Sequence, residues 1–444
     1  MDDSVDHQVV ALPCGRFRVR RGDRIIRARG LRYAMARRFE PCVPVPVADG
    51  VVDATTAGPA CPQLPSRLEF VVGPPATVLA QDEDCLVLDV VAPLPDGTAK
   101  PVMVFFHGGA YVTGNGQASF HDMTAMVDEG DVVTVTVNYR LGILGYLSID
   151  GVAPANLGLL DQIAALRWVK ANIGGFGGDP DDVTIFGQSA GADSVSWLMV
   201  ADGAEDLFRR AILQSAPLGV QRGRAAMSHA MGEAARGALG PRPDALSAQD
   251  LLVAQTTVAA AAAAFGTSAQ MPFGPQTGHY PLPPEDEVDA RRREVAQRIP
   301  VMIGTTADDA RPFVMFNPRL KPLLGAPLVG STALRVLGGI GTDRNFAGPA
   351  AAFAKQHRLD GGHATTYVFD WHPRASPLGA CHCIELPFLM GTFDAWSRAP
   401  MLGADPRQAL AELGPAMRRL WSGFAKGRRD DLDEHLVLPR MADH

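Results

Sequence analysis

Between residues 85 and 216, apolar runs of strand length alternate with stretches of helical period. "CLVLDVVAP" (85–93), "PVMVFFHGG" (101–109) and "DVVTVTVNY" (131–139) are rich in β-branched residues and carry few polar ones. Each predicts a strand buried on both faces. "LLDQIAALRWVKANI" (159–173) instead sets Leu160, Ile163, Leu166, Trp168 and Val169 near a 3.6-residue period, which predicts an amphipathic helix. "DDVTIFG" (181–187) predicts a strand, "SAGADSVSWLMVA" (189–201) a helix, and "FRRAILQSA" (208–216) a further strand. Residues 223–266 are Ala-rich and predict helix, with Ser247 as an N-cap. "PVMIGTT" (300–306) and "TTYVFDW" (365–371) are two later strands. Near the N-terminus, "GRFRVRR" and "RIIRARG" predict a β-hairpin.

Buried strands alternating with helices imply an α/β fold with a mostly parallel central sheet flanked by helices on both faces. Neither an internal repeat nor a clear linker breaks the pattern, and the Pro-rich pieces "LGPRPD" and "HYPLPPEDE" predict surface loops. One domain over 1–444 is therefore expected, with a small β-hairpin region at its N-terminal end. In such sheets ligands sit at the carboxyl ends of strands.

Composition narrows the function. The net charge of −7 over 444 residues is acidic and dilute, and the basic clusters are interrupted by acids and apolar residues. That argues against nucleic acid, which calls for a concentrated basic face. The apolar run "VAAAAAAF" (258–265) is far shorter than a membrane span. "MDDSVDHQVV" lacks the basic and apolar regions of a secretory leader, so a cytoplasmic location is expected, with the six cysteines as thiols.

Three loops at predicted strand ends carry chemistry. "FFHGGAYVTG" runs a strand into small residues, where backbone N–H groups can converge on one point. Such amides stabilise the oxyanion of acyl transfer. "VTIFGQSAGADS" holds Gly187-Gln188-Ser189-Ala190-Gly191 between a strand and a helix, the setting in which G-x-S-x-G presents a nucleophile. A serine needs a base oriented by an acid, and in this setting acid and histidine follow the serine in sequence. "VMIGTTADDARPF" offers Asp308 and Asp309, which could equally cap a helix. His382 in "GACHCIELPFL" follows the last predicted strand, with His372 in "DWHPR" as its competitor. A zinc site on Cys381-His382-Cys383 is disfavoured, because adjacent residues rarely place three ligands around one metal.

Beyond these loops the chain resembles the type-B carboxylesterases of the α/β-hydrolase fold. "GPACPQ", "EDCLVLDV", "HGGAYVTG", "VTVNYRLGILGYL", "NLGLLDQIAALRWVKANIGGFGGDPDDVTIFGQSAGA", "LFRRAILQSA", "YVFDWHP", "HCIELPF" and "WSGFAKG" occur in that family's order. The bacterial p-nitrobenzyl esterases look nearest. The resemblance implies a serine carboxylesterase acting on small to medium esters, needing no cofactor or metal, with a small-molecule ester as its partner. Carbamate, lactone or amide hydrolysis is the near alternative, and a non-catalytic binding protein on the same fold the distant one. By motif position Ser189 is the nucleophile, Asp309 the acid and His382 the base. The oxyanion amides fall on Gly109, Ala110 and Ala190. Gly108 shapes their loop, Ser215 supports the acid, and Gln188 adjoins the nucleophile. Tyr111, following the oxyanion loop, is placed to line the pocket.

The departures are specific. The family acid is usually Glu, whereas Asp309 is one methylene shorter, with Asp308 as the fallback. Gln188 stands where relatives often carry Glu. Cys383 replaces a common Gly or Ala. Cys61 and Cys85 match cysteines that secreted relatives join in a disulfide. The chain is shortened in its N-terminal loop, its 190–300 region and its C-terminus, so the loops over the pocket differ.

Overall fold

A computed structural model describes residues 6–75, 78–327, 329–374, 376–428 and 434–438. Its centre is a twelve-stranded sheet. The strands are β1 (Asp6–Leu12), β2 (Gly15–Arg21), β3 (Ile25–Arg32), β4 (Ala34–Met35), β5 (Val43–Pro44), β6 (Val51–Asp53), β7 (Val87–Pro93), β8 (Lys100–Phe106), β9 (Val133–Val137), β10 (Gly178–Gln188), β11 (Arg210–Gln214), β12 (Val301–Thr306), β13 (Ala364–Phe369) and β14 (His435–Leu438). The order across the sheet is β1-β2-β3-β7-β9-β8-β10-β11-β12-β13-β14, with β6 beside β2 and β4-β5 forming a separate pair.

The first four strands of that order pair antiparallel, and β9 pairs antiparallel with β7. From β9 across to β14 every neighbour is parallel. Apart from the N-terminal hairpin and β7, which pairs antiparallel on both sides, the predicted strands lie in this parallel half, where burial is nearly continuous, as in the all-buried β9 and β12. The fold is the expected α/β-hydrolase sheet with an N-terminal antiparallel region. Strand β1, which the hydrophobic pattern did not single out, extends the hairpin to a meander.

Helices Leu157–Asn172 (α1), Ala190–Leu198 (α2), Arg311–Phe316 (α3) and Arg407–Ala425 (α4) flank the parallel strands. Helix α1 departs from the amphipathic expectation. Asp161 and Gln162 are buried with the apolar positions, and only its last turns reach solvent at Arg167, Lys170 and Ala171. The cause is Arg140, whose Nε and Nη2 donate to the two Asp161 carboxylate oxygens at 2.8 and 2.7 Å. The pair neutralises both charges in the interior, where an isolated one would be very costly.

The Ala-rich stretch forms helices Ala225–Leu239 and Ala248–Ala261, and Ser247 caps the second with a reciprocal box to Asp250. Helical structure runs on to Gln270, so Ala248–Gln270 has the length and apolar composition of a membrane span. Phe265 and Gly266 break its helical geometry, and Ala248–Ala261 buries Leu251, Leu252 and Val258 in the protein core.

Candidate functional site

Five adjacent parallel strands end at similar heights, and that register assembles the site. Gly187 pairs with Phe106 of β8, so the His107 loop starts beside Gln188. Gln188 pairs with Gln214 of β11, which sets Ser189 next to Ser215. Gln214 pairs with Gly304 of β12, and Thr306 with Phe369 of β13. The Asp309 loop and the chain leading to His382 therefore leave the same edge of the sheet.

Ser189 sits on a strained turn between β10 and α2, with φ 57° and ψ −124°. Such backbone costs about 1–3 kcal/mol and is held by its surroundings. Here the Ser189 N–H donates to the Gln214 carbonyl at 2.8 Å, and the Ser189 carbonyl accepts the Asp193 N–H at 2.9 Å. Glycine is required on both sides. A Cβ at Gly191 would collide with the Phe106 carbonyl oxygen, and one at Gly187 with the backbone of Gly191. The N-terminal end of α2 adds positive potential at Ser189 and Ala190.

The His107-Gly108-Gly109-Ala110 loop faces this turn. A Cβ on Gly108 would lie 2.8 Å from the Gln188 carbonyl oxygen, so only glycine lets the two loops meet. Gly109, Ala110 and Tyr111 all have positive φ, 118°, 53° and 60°. Among the described residues, the Gly109 and Ala110 N–H groups donate to nothing within the chain. Tyr111 does not line an open pocket, as its position had suggested. It is wholly buried, its ring packs 4.3 Å from Tyr146, and its hydroxyl donates to Asp193 at 2.6 Å.

His382 is wholly buried, and its Nδ1–H donates to Asp309 Oδ1 at 2.7 Å. The other Asp309 oxygen accepts the Ser215 hydroxyl at 2.9 Å and the Thr306 N–H at 3.0 Å. Asp308 turns the other way. It accepts from Arg311 at 2.8 Å and from the Ala380 N–H at 3.0 Å, and burial raises its pKa against the lowering effect of Arg311. His372 is exposed, with its Nδ1 at 3.0 Å from the Pro373 carbonyl. Ser189, Asp309, His382 and Ser215 are thus brought together, and Asp308 and His372 are not.

On the far side of the imidazole, His382 Nε2 meets the Gln188 side-chain amide nitrogen at 3.2 Å. Gln188 Oε1 in turn accepts from Cys383 at 3.5 Å. With Nδ1 donating to Asp309, Nε2 is the acceptor, the tautomer a general base needs. Ser189 Oγ makes no hydrogen bond among the described residues, and the amide of Gln188 occupies the Nε2 lone pair. Phe313 and Phe346 flank the imidazole, with ring centres 5.1 and 5.3 Å away.

Sequence reasoning missed Glu385, three residues after His382. Its side chain is fully buried; Oε1 is 3.4 Å from Gln214 Nε2, and Oε2 has no partner. Burial first, and the Asp309 charge second, push its carboxyl up to about 8. The only signal was a lone acid inside the apolar run "CIELPFL". Cys61 and Cys85 are buried free thiols.

A sequence model described as the carboxylesterase family matches residues 6–323. The chain belongs to the carboxylesterase family. It is 38% identical over 436 residues to a probable N-octanoylanthranilate hydrolase of Rhodococcus erythropolis, covering 96% of this chain and 94% of that one. It is 35% identical to the para-nitrobenzyl esterase of Bacillus subtilis, covering 95% and 90%. A solved thermophilic PNB esterase superposes with a TM-score of 0.82 at 33% identity, covering 96% of this chain and 92% of that chain. A phenmedipham hydrolase of Pseudarthrobacter oxydans is 31% identical over 88% of this chain and 83% of its own. This carboxylesterase-family chain is accordingly a carboxylic ester hydrolase whose substrate is a small-molecule ester.

Proposed function

We propose that the 1–444 chain is a single-domain serine carboxylesterase working through an acyl-Ser189 intermediate. The observation that carries this reading is the imidazole of His382. It is fixed by Asp309 in the tautomer that leaves Nε2 as acceptor, beside a serine on a strained strand-to-helix turn.

In the first half-reaction Ser189 Oγ forms a bond to the ester carbonyl carbon while its proton passes to His382 Nε2. The Gln188 amide has to yield that nitrogen first. Asp309 then faces an imidazolium and stabilises it. Charge develops on the carbonyl oxygen, and the uncommitted N–H groups of Gly109 and Ala110, with that of Ala190 at the start of α2, are the donors that receive it. The carbon–oxygen bond to the alcohol breaks, and His382 returns its proton to the leaving oxygen. Water next adds to the acyl carbon, giving its proton to His382. The bond to Ser189 Oγ breaks, and Oγ recovers the proton. Gly108 allows the close approach, and Ser215 holds the Asp309 carboxylate.

The test uses p-nitrophenyl acetate and butyrate with native protein and Ser189→Ala, together with mass spectrometry of a trapped acyl-enzyme. Activity at background and loss of the adduct are expected for the variant. Retained activity would refute the assignment.

Amide hydrolysis by the same residues is favoured by one relative's name, N-octanoylanthranilate hydrolase, and phenmedipham is the compound that another relative's name gives. A panel holding both compounds beside the p-nitrophenyl esters separates these readings by kcat/KM. A cytoplasmic setting fits the six free thiols, which a reducing compartment preserves.

A further inference from the structure

The proposed oxyanion hole is split between two elements. Gly109 and Ala110 sit on the loop after β8, and Ala190 on the first turn of α2. Donors of this kind act only within about 2.7–3.1 Å of the developing charge. Something must therefore fix the spacing between loop and helix.

One buried side-chain pair spans that gap. Tyr111, directly after Ala110, donates its hydroxyl to Asp193 Oδ2 at 2.6 Å, and Asp193 lies one helical turn after Ser189. Both residues are almost wholly buried. The Asp193 end is braced: Gln221 Nε2 donates to its other oxygen at 2.7 Å, and Arg292 holds Gln221 Oε1 at 2.9 Å. Arg224 and Arg292 also act on its charge. Ser194 donates to the Tyr111 hydroxyl at 3.2 Å. The loop end is braced as well. The Tyr139 hydroxyl donates to the His107 carbonyl, and the Gly142 N–H to the Tyr111 carbonyl, each at 2.6 Å. Asp193 is a buried residue of α2, where an ionised carboxylate carries a burial cost. One of its oxygens receives the hydroxyl that terminates the loop, and the other the Gln221 amide. The loop itself holds Ala110 and Tyr111 at positive φ, a backbone that relaxes unless it is held.

We propose that Tyr111 and Asp193 are positioning residues for ester hydrolysis, a buried strut that sets the distance between the Gly109–Ala110 amides and the Ala190 amide. The inference rests on the site assignment above. Cutting the strut at Tyr111→Phe leaves the ring in place and removes only the tie. The loop then moves relative to Ser189, and the transition state loses more than the ground state does.

Steady-state kinetics on p-nitrophenyl butyrate and inhibition by a trifluoromethyl ketone, which forms a tetrahedral oxyanion on the nucleophile, are measured side by side. Active sites are titrated in every sample. Tyr111→Phe is expected to lower kcat about tenfold with KM within twofold, and to weaken the ketone by the same factor. Asp193→Asn keeps an acceptor for the hydroxyl and is expected to retain most activity, whereas Asp193→Ala matches Tyr111→Phe. Because the two residues act as one unit, Tyr111→Phe/Asp193→Ala should be no slower than either single variant. A merely structural pair would lower the titrated active fraction and leave kcat per active site and ketone affinity unchanged, and that result overturns the strut. Additive losses in the double variant overturn it too. Ser189→Ala run in parallel keeps the two readings apart. Activity in Ser189→Ala removes the site assignment, while an inactive Ser189→Ala with an unimpaired Tyr111→Phe removes only the strut.

Discussion

Glu385→Gln tests the electrostatics of the site through stability. The native carboxyl is fully buried, and burial with the nearby Asp309 raises it from 4.5 to about 8. Its folded-state pKa lies above its unfolded one, which fixes the sign. Below about pH 4.5 both states hold the proton and no penalty exists. Between 4.5 and 8 the unfolded chain ionises while the folded site keeps its proton, so stability falls as pH rises. Above 8 both states are ionised and the loss stays. Each pH unit inside that window is worth about 1.4 kcal/mol, so the full span is on the order of 5 kcal/mol. Glutamine is neutral at every pH and keeps the oxygen that faces Gln214, so it lacks this slope. Urea unfolding of both proteins at pH 5.5, 7.0 and 8.5 measures the difference. Glu385→Gln should gain on the native protein by about 1.4 kcal/mol per pH unit across the window and then level off. A difference that stays constant from pH 5.5 to 8.5 would refute the assignment of a proton to Glu385.

Asp309→Asn should lower kcat on p-nitrophenyl butyrate by about 10³–10⁴, since an amide cannot stabilise the imidazolium. Asp308→Asn, which loosens only the contact to Arg311, should stay within tenfold, and the reverse ranking would move the acid to Asp308. Asp161→Asn leaves the Arg140 guanidinium buried beside a neutral partner and should cost about 3–5 kcal/mol in urea unfolding; a loss under 1 kcal/mol would contradict the buried pair. Gln188→Glu places an anion 3.2 Å from His382 Nε2, so the acid limb of the kcat/KM profile should move up by about one pH unit. An unmoved limb would show that residue 188 does not reach the imidazole in the working enzyme.

The parallel strands were legible because they are buried on both faces, which leaves unbroken apolar runs in the sequence. Ser247 was legible because capping is a local hydrogen-bond pattern. Helix α1 was misread as amphipathic because the partner that admits Asp161 to the core, Arg140, lies twenty-one residues away. Periodicity reports which residues are apolar, not which charges are paired. Tyr111 was misplaced for the same reason. Its hydroxyl belongs to Asp193, eighty-two residues on. At the site, the motifs supplied residue types and order. The choice between Asp308 and Asp309 needed the direction of each carboxylate, and that is set by Ala380 and Arg311 on one side and Ser215 and Thr306 on the other.

The departures from the family pattern converge on one quantity, the negative charge around His382. The resemblance led one to expect Glu at 188 and a longer acid at 309. Residue 188 is instead a neutral amide that touches Nε2 directly. Glu385, held up to about 8, is also neutral at pH 7. Of the side chains at positions 188, 309 and 385, only Asp309 then presents a full charge to the imidazole, and it does so on the Nδ1 side. The neutral Gln188 amide thus leaves Asp309 as the one anion of these three in hydrogen-bond contact with the imidazole. The cost falls on the imidazolium formed during catalysis, which has fewer charges to stabilise it. The short, doubly hydrogen-bonded Asp309 carries that load alone. The Ser215 and Thr306 donors hold that carboxylate still, since a side chain one methylene shorter than glutamate has little reach to spare.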